Sequence, residues 1–292
     1  MDIIDEDLIT TETVPFLSKN GVTVHVLRLD KIHPVVSGNK WFKLKFHLQK
    51  AVEGRYKAIV TFGGAFSNHI AACAAACAIY NIPCIGIIRG EEPRAYSHTL
   101  LKAQQCGMQL HFMSRADYQS KKVPSIFATD DYYIVPEGGY SEEGTRGAAT
   151  IPFEKSAFDY VLCAVGTGTM MAGLMNSKAD QATVLGFSVL KNHLLLSDEV
   201  QNLLIHKDQP VTINHDYHFG GYAKQKPVLL QFMNELFTAT GIPTDFVYTG
   251  KLFYAVHDLI NQNYFPIGSR LLLVHSGGLQ GNLSLRKGTL IF

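Results

Sequence analysis

Short apolar runs alternate with amphipathic segments along most of the chain, and this alternation predicts the fold class. Runs rich in Val, Ile and Leu are typical of strands, whereas apolar residues three and four positions apart are typical of helices. Strands are predicted over residues 22–29, 58–62, 83–88, 108–112, 132–135, 160–165, 184–189 and 271–275. Helices are predicted over residues 40–53, 70–80, 96–105, 143–152, 170–176, 197–205, 228–238 and 252–262. We therefore expect an α/β protein with two lobes of open, mostly parallel sheet and helices on both faces.

Length and charge favour a two-lobed protein with a small ligand. The chain has 292 residues, and single hydrophobic cores stop growing at roughly 250–300 residues. Lys+Arg 26 against Asp+Glu 25 leaves a formal net charge of +1, so no broad field attracts nucleic acid or an anionic membrane. We expect a small-molecule substrate, with no nucleic acid and no membrane as partners.

Cysteine usage and the first residues bear on the compartment. The five cysteines lie inside apolar runs, which favours buried thiols in a reducing compartment over a disulfide framework. The acidic segment 1–7 does not resemble a secretory signal, and no apolar run reaches the roughly 18 residues that a membrane span requires. We expect a cytoplasmic protein.

Lys40 stands directly behind a Ser-Gly-Asn turn, at the predicted start of a helix. The helix dipole disfavours a cation there and should lower the pKa of the amine, which could then form a Schiff base with an aldehyde. The alternative is a solvated surface lysine, which is the commoner role. Lys43 and Lys45 follow no such turn, so we assign them to the surface.

A loop between a predicted strand and a helix start has the composition of a phosphate site. Glycine lets backbone N–H groups turn inward and threonine hydroxyls add donors, and the loop consists of Gly166, Thr167, Gly168 and Thr169. The dinucleotide fingerprint is absent because Met171 replaces its third glycine, and no P-loop lysine is present. The alternative is a tight turn that binds nothing.

Ser67, Asn68 and His69 open another predicted helix after two glycines. They are either plain caps or, at the mouth of a cleft, groups that bind a carboxylate or a phenolate oxygen. A serine hydrolase is disfavoured because the G-x-S-x-G elbow is missing. The absence of H-E-x-x-H argues against a metal site.

Two tyrosines stand beside glycine-rich turns. Tyr222 follows Gly220-Gly221, and Tyr248 begins the stretch Tyr-Thr-Gly-Lys. Isolated tyrosines are more often packing residues with a satisfied hydroxyl, so local sequence alone leaves their role open.

Taken in order, these stretches resemble the 1-aminocyclopropane-1-carboxylate deaminase and D-cysteine desulfhydrase family, pyridoxal-phosphate enzymes of fold type II (tryptophan synthase beta-like). The resemblance runs from about residue 28 to 281. Gly38-Asn39-Lys40 resembles the family's Gly-Asn-Lys, and Ser67-Asn68-His69 its Ser-Asn-His or Ser-Asn-Gln. The order of the motifs is more specific than any one of them.

The resemblance implies pyridoxal 5'-phosphate as the cofactor and assigns residues to it. Lys40 would carry the cofactor as a Schiff base and would become the proton-transfer base when substrate displaces it. Asn68 would hold the phenolic oxygen. The phosphate would be bound by Gly166, Thr167, Gly168 and Thr169.

The resemblance also implies a substrate side. Ser67, Asn68 and the amides around His69 would receive the substrate carboxylate, and Tyr222 and Tyr248 would line this substrate side of the site. The candidate catalytic residues are therefore Lys40, Ser67, Tyr222 and Tyr248.

The resemblance also assigns Thr249 to the cofactor, with its hydroxyl facing the pyridine nitrogen, and this position bears on which activity of the family is expected. Deaminases resemble one another in placing a glutamate there, facing the pyridine nitrogen, whereas desulfhydrase-like members carry threonine. A hydroxyl leaves the pyridine ring of the cofactor largely unprotonated. Such a ring suits β-elimination, because the leaving group removes the negative charge of the carbanion as that charge forms. We therefore favour a D-cysteine desulfhydrase-like lyase that forms pyruvate and ammonia from a small D-amino acid. The alternatives are a 1-aminocyclopropane-1-carboxylate deaminase forming 2-oxobutyrate and ammonia, a dehydratase or racemase of the same fold type, and a non-catalytic cofactor-binding relative.

Two departures from the family leave the substrate open. Trp41-Phe42 replaces a usual small or basic pair, and Ala71 stands where arginine is common. The family further implies a homodimer, with a large cofactor-binding domain of residues 1–43 and 141–292 and a small inserted domain of residues 44–140.

Overall fold

Strands and helices alternate along residues 4–120 and 122–292, which the computed structural model describes. The strands are β1 (Thr11–Thr13), β2 (Thr23–Arg28), β3 (Ala58–Gly64), β4 (Cys84–Arg89), β5 (Gln109–Met113), β6 (Tyr132–Val135), β7 (Tyr160–Val165), β8 (Thr183–Ser188), β9 (Thr212–Asn214) and β10 (Arg270–His275). The α-helices are α1 (Asn39–Glu53), α2 (Asn68–Ile79), α3 (His98–Gln105), α4 (Arg115–Gln119), α5 (Glu142–Ala149), α6 (Thr169–Ser177), α7 (Leu196–Gln201), α8 (Pro227–Thr240) and α9 (Thr249–Asn261). The expectation for the acidic segment 1–7 lies partly outside the described residues, at positions 1–3.

The strands form two sheets. A six-stranded sheet has the order β1-β2-β10-β7-β8-β9, and a four-stranded sheet has the order β5-β4-β3-β6. Every pairing is parallel except that of β1 with β2. This confirms the predicted α/β class. The smaller sheet lies within residues 58–135, inside the segment predicted as the small domain, whose boundaries stay a prediction.

The differences from the predicted elements concern short segments. The strands β1 and β9 and the helix α4 were not predicted, and α7 ends at Gln201 instead of continuing to residue 205. Three-residue edge strands are too short to show an alternating pattern, so they depend on the neighbouring strand for their identification.

Helices α1, α5 and α6 pack closely against one another. A Cβ on Gly147 of α5 would lie 1.8 Å from the carbonyl oxygen of Phe42 in α1, and one on Gly173 of α6 would lie 2.4 Å from the Ala148 Cβ. Only glycine permits these approaches. The packing fixes the start of α1, which carries Lys40, against the start of α6.

Helix α2 is buried on all sides, as expected for a helix without a polar face. Its residues from Asn68 to Cys77 are all buried, and Cys73 Sγ lies 3.9 Å from Cys77 Sγ. All five cysteines are free, and each is buried except the half-buried Cys106. The prediction that the cysteines are largely buried is confirmed.

Candidate active site

The carboxyl ends of both sheets face a cavity of about 840 Å³. Ligands in open parallel sheets bind at such ends. The lining includes Lys40, Tyr222, Tyr248 and the segments 64–69 and 166–168. The structure therefore brings together most of the residues singled out in the sequence.

Lys40 is held by the turn before it. Gly38 has φ +63°, and a Cβ there would lie 2.0 Å from the Ser276 carbonyl oxygen, so this turn requires glycine. Asn39 N–H donates to the same oxygen at 3.2 Å, and Lys40 Nζ donates to Asn39 Oδ1 at 2.8 Å. Burial lowers the pKa of Lys40 to about 8, and the charge of Asp245 opposes this shift. The amine is therefore free at lower pH than an ordinary lysine, as covalent attachment to an aldehyde requires.

Lys43 is a second cavity lysine, and its assignment to the surface is wrong. It is only 6% exposed and lines the cavity one turn after Lys40. Burial, and then the charge of Lys40, hold the pKa of Lys43 well below its usual value. None of the ion pairs within residues 4–120 and 122–292 involves its amine. Because a buried cation without a counter-ion is costly, this part of the cavity favours an anionic ligand.

The loop between β7 and α6 lies beside Lys43. A Cβ on Gly139 would lie 3.2 Å from Lys43 Cβ, and one on the adjacent Gly138 would lie 2.7 Å from Thr167 Cγ2. Helix α6 begins at Thr169, directly after Gly168 in the left-handed conformation, and the N–H groups of a first helical turn have no partner inside the helix. Backbone donors, a threonine hydroxyl and the Lys43 amine therefore line the same cavity, and together they form the donor set that a phosphate requires.

Thr169 itself lies behind the cavity surface. It is fully buried, and its Oγ1 is 3.1 Å from Thr167 Oγ1. Its side chain can therefore act on a ligand through Thr167, while its backbone N–H belongs to the first turn of α6, next to Gly168 in the cavity lining.

Ser67 and Asn68 form the start of α2. Ser67 Oγ accepts the N–H of Ile70 at 3.4 Å, so it is a helix cap that also lines the cavity. Asn68 Nδ2 donates to the Gly278 carbonyl at 3.4 Å, and its Oδ1 accepts from Gln280 Nε2 at 2.9 Å. Ser67 can therefore cap the helix and still bind a ligand, because Ser67 and Asn68 both line the cavity.

The His69 ring packs against the smaller sheet. Its Nε2 lies 2.8 Å from Thr61 Oγ1, and burial, followed by the charges of Lys40 and Lys43, lowers its pKa to about 3. A neutral imidazole held in this way leaves the backbone at the start of α2 as the donor available to a carboxylate.

Tyr222 and Tyr248 lie next to each other in the cavity lining. Their ring centroids are 6.0 Å apart with planes at 75°, and Lys40 Nζ lies 5.6 Å from the centroid of Tyr248. Burial raises the pKa of both hydroxyls. Both side chains are therefore neutral at physiological pH and able to donate a hydrogen bond.

Thr249 departs from the expectation that its hydroxyl faces the cofactor. The hydroxyl donates to Asp245 Oδ1 at 2.7 Å and accepts the N–H of Asp245 at 2.8 Å. The buried Asp245 carboxylate also accepts the N–H groups of Val247, Tyr248 and Thr249, each at 2.9 Å. Thr249 thus fixes Asp245 and the turn that carries Tyr248, and it is absent from the cavity lining.

Sequence reasoning missed three residues of the site. Lys43 was identifiable because it lies three positions after Lys40, on the same helix face. Ser276 lines the cavity and, like Ser67, follows a strand at a glycine-rich turn. Asp245 precedes a helix start at capping distance, which was the available signal.

The lining fits a ligand that carries both an aldehyde and a phosphate. The cavity is lined by an amine of lowered pKa, Lys40, and by a second lysine, the buried Lys43, together with the loop that starts α6. The volume lies in the range of roughly 300–1,000 Å³ that is typical of cofactor sites. Pyridoxal 5'-phosphate has these two groups.

Comparisons with known proteins agree with this chemistry. A family model described as pyridoxal-phosphate dependent enzyme matches residues 10–277. A protein of Pyrococcus abyssi, provisionally named a 1-aminocyclopropane-1-carboxylate deaminase, is 29% identical over 92% of this chain and 88% of its own. The mitochondrial bifunctional D-cysteine desulfhydrase/1-aminocyclopropane-1-carboxylate deaminase of Arabidopsis thaliana is 28% identical over 90% of this chain and 74% of its own.

A solved structure shares the fold. The crystal structure of a homologue of 1-aminocyclopropane-1-carboxylate deaminase matches with a TM-score of 0.82 at 24% identity, covering 94% of this chain and 90% of that chain. The two-sheet architecture is therefore that of fold type II, and the cofactor is pyridoxal phosphate. The chain belongs to the family of pyridoxal-phosphate dependent enzymes.

Proposed function

We propose that this enzyme is a lyase that removes a β-substituent from a small D-amino acid, as a D-cysteine desulfhydrase does. With D-cysteine and water the products would be pyruvate, ammonia and hydrogen sulfide. The observation that carries the proposal is the Lys40 amine, which has a lowered pKa and lines the same cavity as a phosphate-type donor set and the capped start of α2.

The side chains divide between the cofactor and the substrate. Bound pyridoxal phosphate supplies an electron sink for bond breaking at the substrate Cα. Lys43 and the loop 166–169 would hold its phosphate, and Asn68 its phenolic oxygen. Lys40 Nζ would take the α-proton, with Asn39 Oδ1 at 2.8 Å to orient it.

The start of α2 would bind the substrate carboxylate. Ser67 and the free N–H groups of the first turn are donors aligned with the positive end of the helix dipole. Tyr222 and Tyr248 would close the other side and exclude water from the amino acid side chain.

The placement of charge supports elimination. Position 249 carries no carboxylate, and the buried carboxylate of Asp245 accepts hydrogen bonds from four donors. Among the described lining residues, the acidic side chain is Glu137, at the end of β6. A ring without a carboxylate partner suits a reaction in which the leaving group takes the electrons.

The second candidate is 1-aminocyclopropane-1-carboxylate deaminase, with 2-oxobutyrate and ammonia as products. The names of the Pyrococcus and Arabidopsis relatives favour it. Both reactions require the same α2 donors and the same lysine, so the products distinguish them.

A substrate panel tests the proposal. Holoenzyme would be incubated with D-cysteine, β-chloro-D-alanine, their L-enantiomers and 1-aminocyclopropane-1-carboxylate, with pyruvate and 2-oxobutyrate assayed separately. We expect pyruvate from the D-amino acids, and none from the Lys40→Ala variant. 2-Oxobutyrate from the cyclopropane, without pyruvate from any D-substrate, would replace the first candidate by the second.

We also propose a cytoplasmic homodimer. The five free cysteines suit a reducing compartment, and within the described residues no helix is long and apolar enough to span a membrane. Sedimentation velocity should give about twice the 32.3 kDa chain mass, and a species of single-chain mass would refute the dimer.

A further inference from the structure

Lys251 is buried in a way that ordinary surface lysines are not. It lies in α9 and is 1% exposed. Its Nζ donates to the His218 carbonyl at 2.9 Å and to the Gly221 carbonyl at 2.8 Å. Both acceptors belong to residues 217–224, which we call the Tyr222 loop.

The Tyr222 loop has a strained backbone. Phe219, Gly220, Gly221 and Ala223 all have positive φ, at 53°, 102°, 114° and 52°. A left-handed conformation costs roughly 1–2 kcal/mol at a residue with a Cβ. Such a conformation persists only where surrounding contacts impose it.

Lys251 supplies contacts of that kind. The His218 carbonyl also accepts the N–H of Gly221 at 3.0 Å, and the Gly221 carbonyl accepts the N–H of Lys224 at 3.1 Å. The ammonium thus bridges the two carbonyls that close the successive turns of the loop. Phe219 adds an edge-on contact with Tyr254 of α9, at 5.0 Å between centroids.

The loop and the helix each carry one cavity tyrosine. Tyr222 follows Gly221 directly, and Tyr248 precedes Lys251 by three positions, at the start of α9. The Tyr222 and Tyr248 rings touch edge to face at the cavity wall. The bridge from Lys251 to the loop therefore fixes one ring relative to the other.

Burying the Lys251 ammonium carries a desolvation penalty. Burial lowers the pKa of Lys251 to about 8, and the charge of Asp245 opposes the shift. A methionine would fill the same volume without removing a charge from water. Unlike methionine, the Lys251 ammonium donates hydrogen bonds to the loop carbonyls and so fixes the position of the loop.

We propose that Lys251 is a positioning residue that holds Tyr222 against Tyr248 on the substrate side of the cavity. This inference rests on the proposed function only in taking that side to receive the substrate. Lys251 touches neither substrate nor cofactor, and it acts through Tyr222.

The test compares Lys251→Met, Lys251→Arg and the exposed-lysine control Lys226→Met in the holoenzyme. Hydrogen exchange of a peptide spanning residues 217–224 reports the loop, and absorbance reports bound cofactor. KM and kcat would be measured with β-chloro-D-alanine, or with whichever substrate the panel identifies.

We expect Lys251→Met to retain the cofactor, to exchange the loop amides at least tenfold faster, and to raise KM about tenfold while kcat changes less than threefold. Lys251→Arg should restore most of both effects, and Lys226→Met should match the wild type. In a Tyr222→Ala background, Lys251→Met should raise KM no further, because the residue through which it acts is gone.

Three results would overturn the inference. The first is a Lys251→Met variant whose loop amides exchange as in the wild type. The second is a Lys251→Met variant with unchanged KM that loses only kcat or cofactor content. The third is a KM that Lys251→Met raises as much in the Tyr222→Ala background as in the wild type. The exchange measurement requires no turnover, so it remains decisive if the proposed reaction itself is not observed.

Discussion

Replacing Lys43 by methionine should change stability and cofactor affinity in opposite directions. The ammonium is buried beside Lys40 and has no ion-pair partner within the described parts of the chain. In the apoprotein, the buried charge without a counter-ion lowers the free energy of unfolding. Beside the cofactor phosphate, where we propose that it lies, the ammonium would become the counter-ion.

The magnitudes follow from these two states. Removing an unpaired buried cation should stabilise the apoprotein by roughly 1–3 kcal/mol at neutral pH. Losing a charge-assisted hydrogen bond to the phosphate costs about 1.5–3 kcal/mol, or roughly a 10- to 150-fold weaker cofactor affinity.

The stability difference should also depend on pH. Because the pKa of Lys43 is lowered in the folded state, the unfolded chain binds more protons and wild-type stability rises with pH. The advantage of Lys43→Met should therefore shrink as the pH rises from neutral towards the ordinary lysine pKa of about 10.4.

The assay is urea unfolding of the apoproteins at several pH values, with cofactor affinity from absorbance titration. Lys45→Met is the matched control, since it lies on the same helix and pairs with Glu6 at 3.5 Å outside the cavity. A destabilised Lys43→Met apoprotein with wild-type cofactor affinity would refute the reasoning.

Three further predictions concern the turns and the amine. Gly38 and Gly107 both have positive φ, but a Cβ would clash with the backbone only at Gly38 and would meet nothing within 4 Å at Gly107. Gly38→Ala should therefore lower the free energy of unfolding by about 2 kcal/mol or more beyond the effect of Gly107→Ala, which introduces φ strain alone. Equal urea midpoints for the two variants would contradict this. Asp245→Asn should destabilise by about 3–5 kcal/mol, because an amide cannot accept all four hydrogen bonds, and an unchanged urea midpoint would exclude that role. The initial rate of cofactor attachment to the apoprotein should rise with pH up to about 8 and then level off, since the free amine of Lys40 increases through its pKa; a stopped-flow absorbance rate that falls over this range would contradict the assignment.

The regular elements were predictable because their signals are local. The run 160–165 matches β7 and the segment 132–135 matches β6 without any shift. The pairing of β1 with β2 depends on residues at least 12 positions apart, such as Thr13 with His25, so the three-residue strand has no pattern of its own.

The site, like the fold, contains residues that local sequence indicated and residues that depend on tertiary packing. Lys40, Ser67 and the loop 166–169 stand next to turns whose sequence limits their conformation, so the motifs alone indicated them. The burial of Lys43 results from the packing of α1 against α5 and α6, and the commitment of Thr249 to Asp245 results from a turn closed by side-chain oxygens. Neither arrangement follows from residue spacing.

The central claim is that a covalent bond to the cofactor forms at Lys40. Purified holoenzyme would be reduced with borohydride, digested and analysed by peptide mass spectrometry, alongside the Lys40→Ala variant. We predict a reduced pyridoxyl adduct on the peptide that contains Lys40, located at that residue by fragmentation, and no adduct in the variant. An adduct on Lys43 or Lys251, or an adduct that persists in Lys40→Ala, would contradict the account.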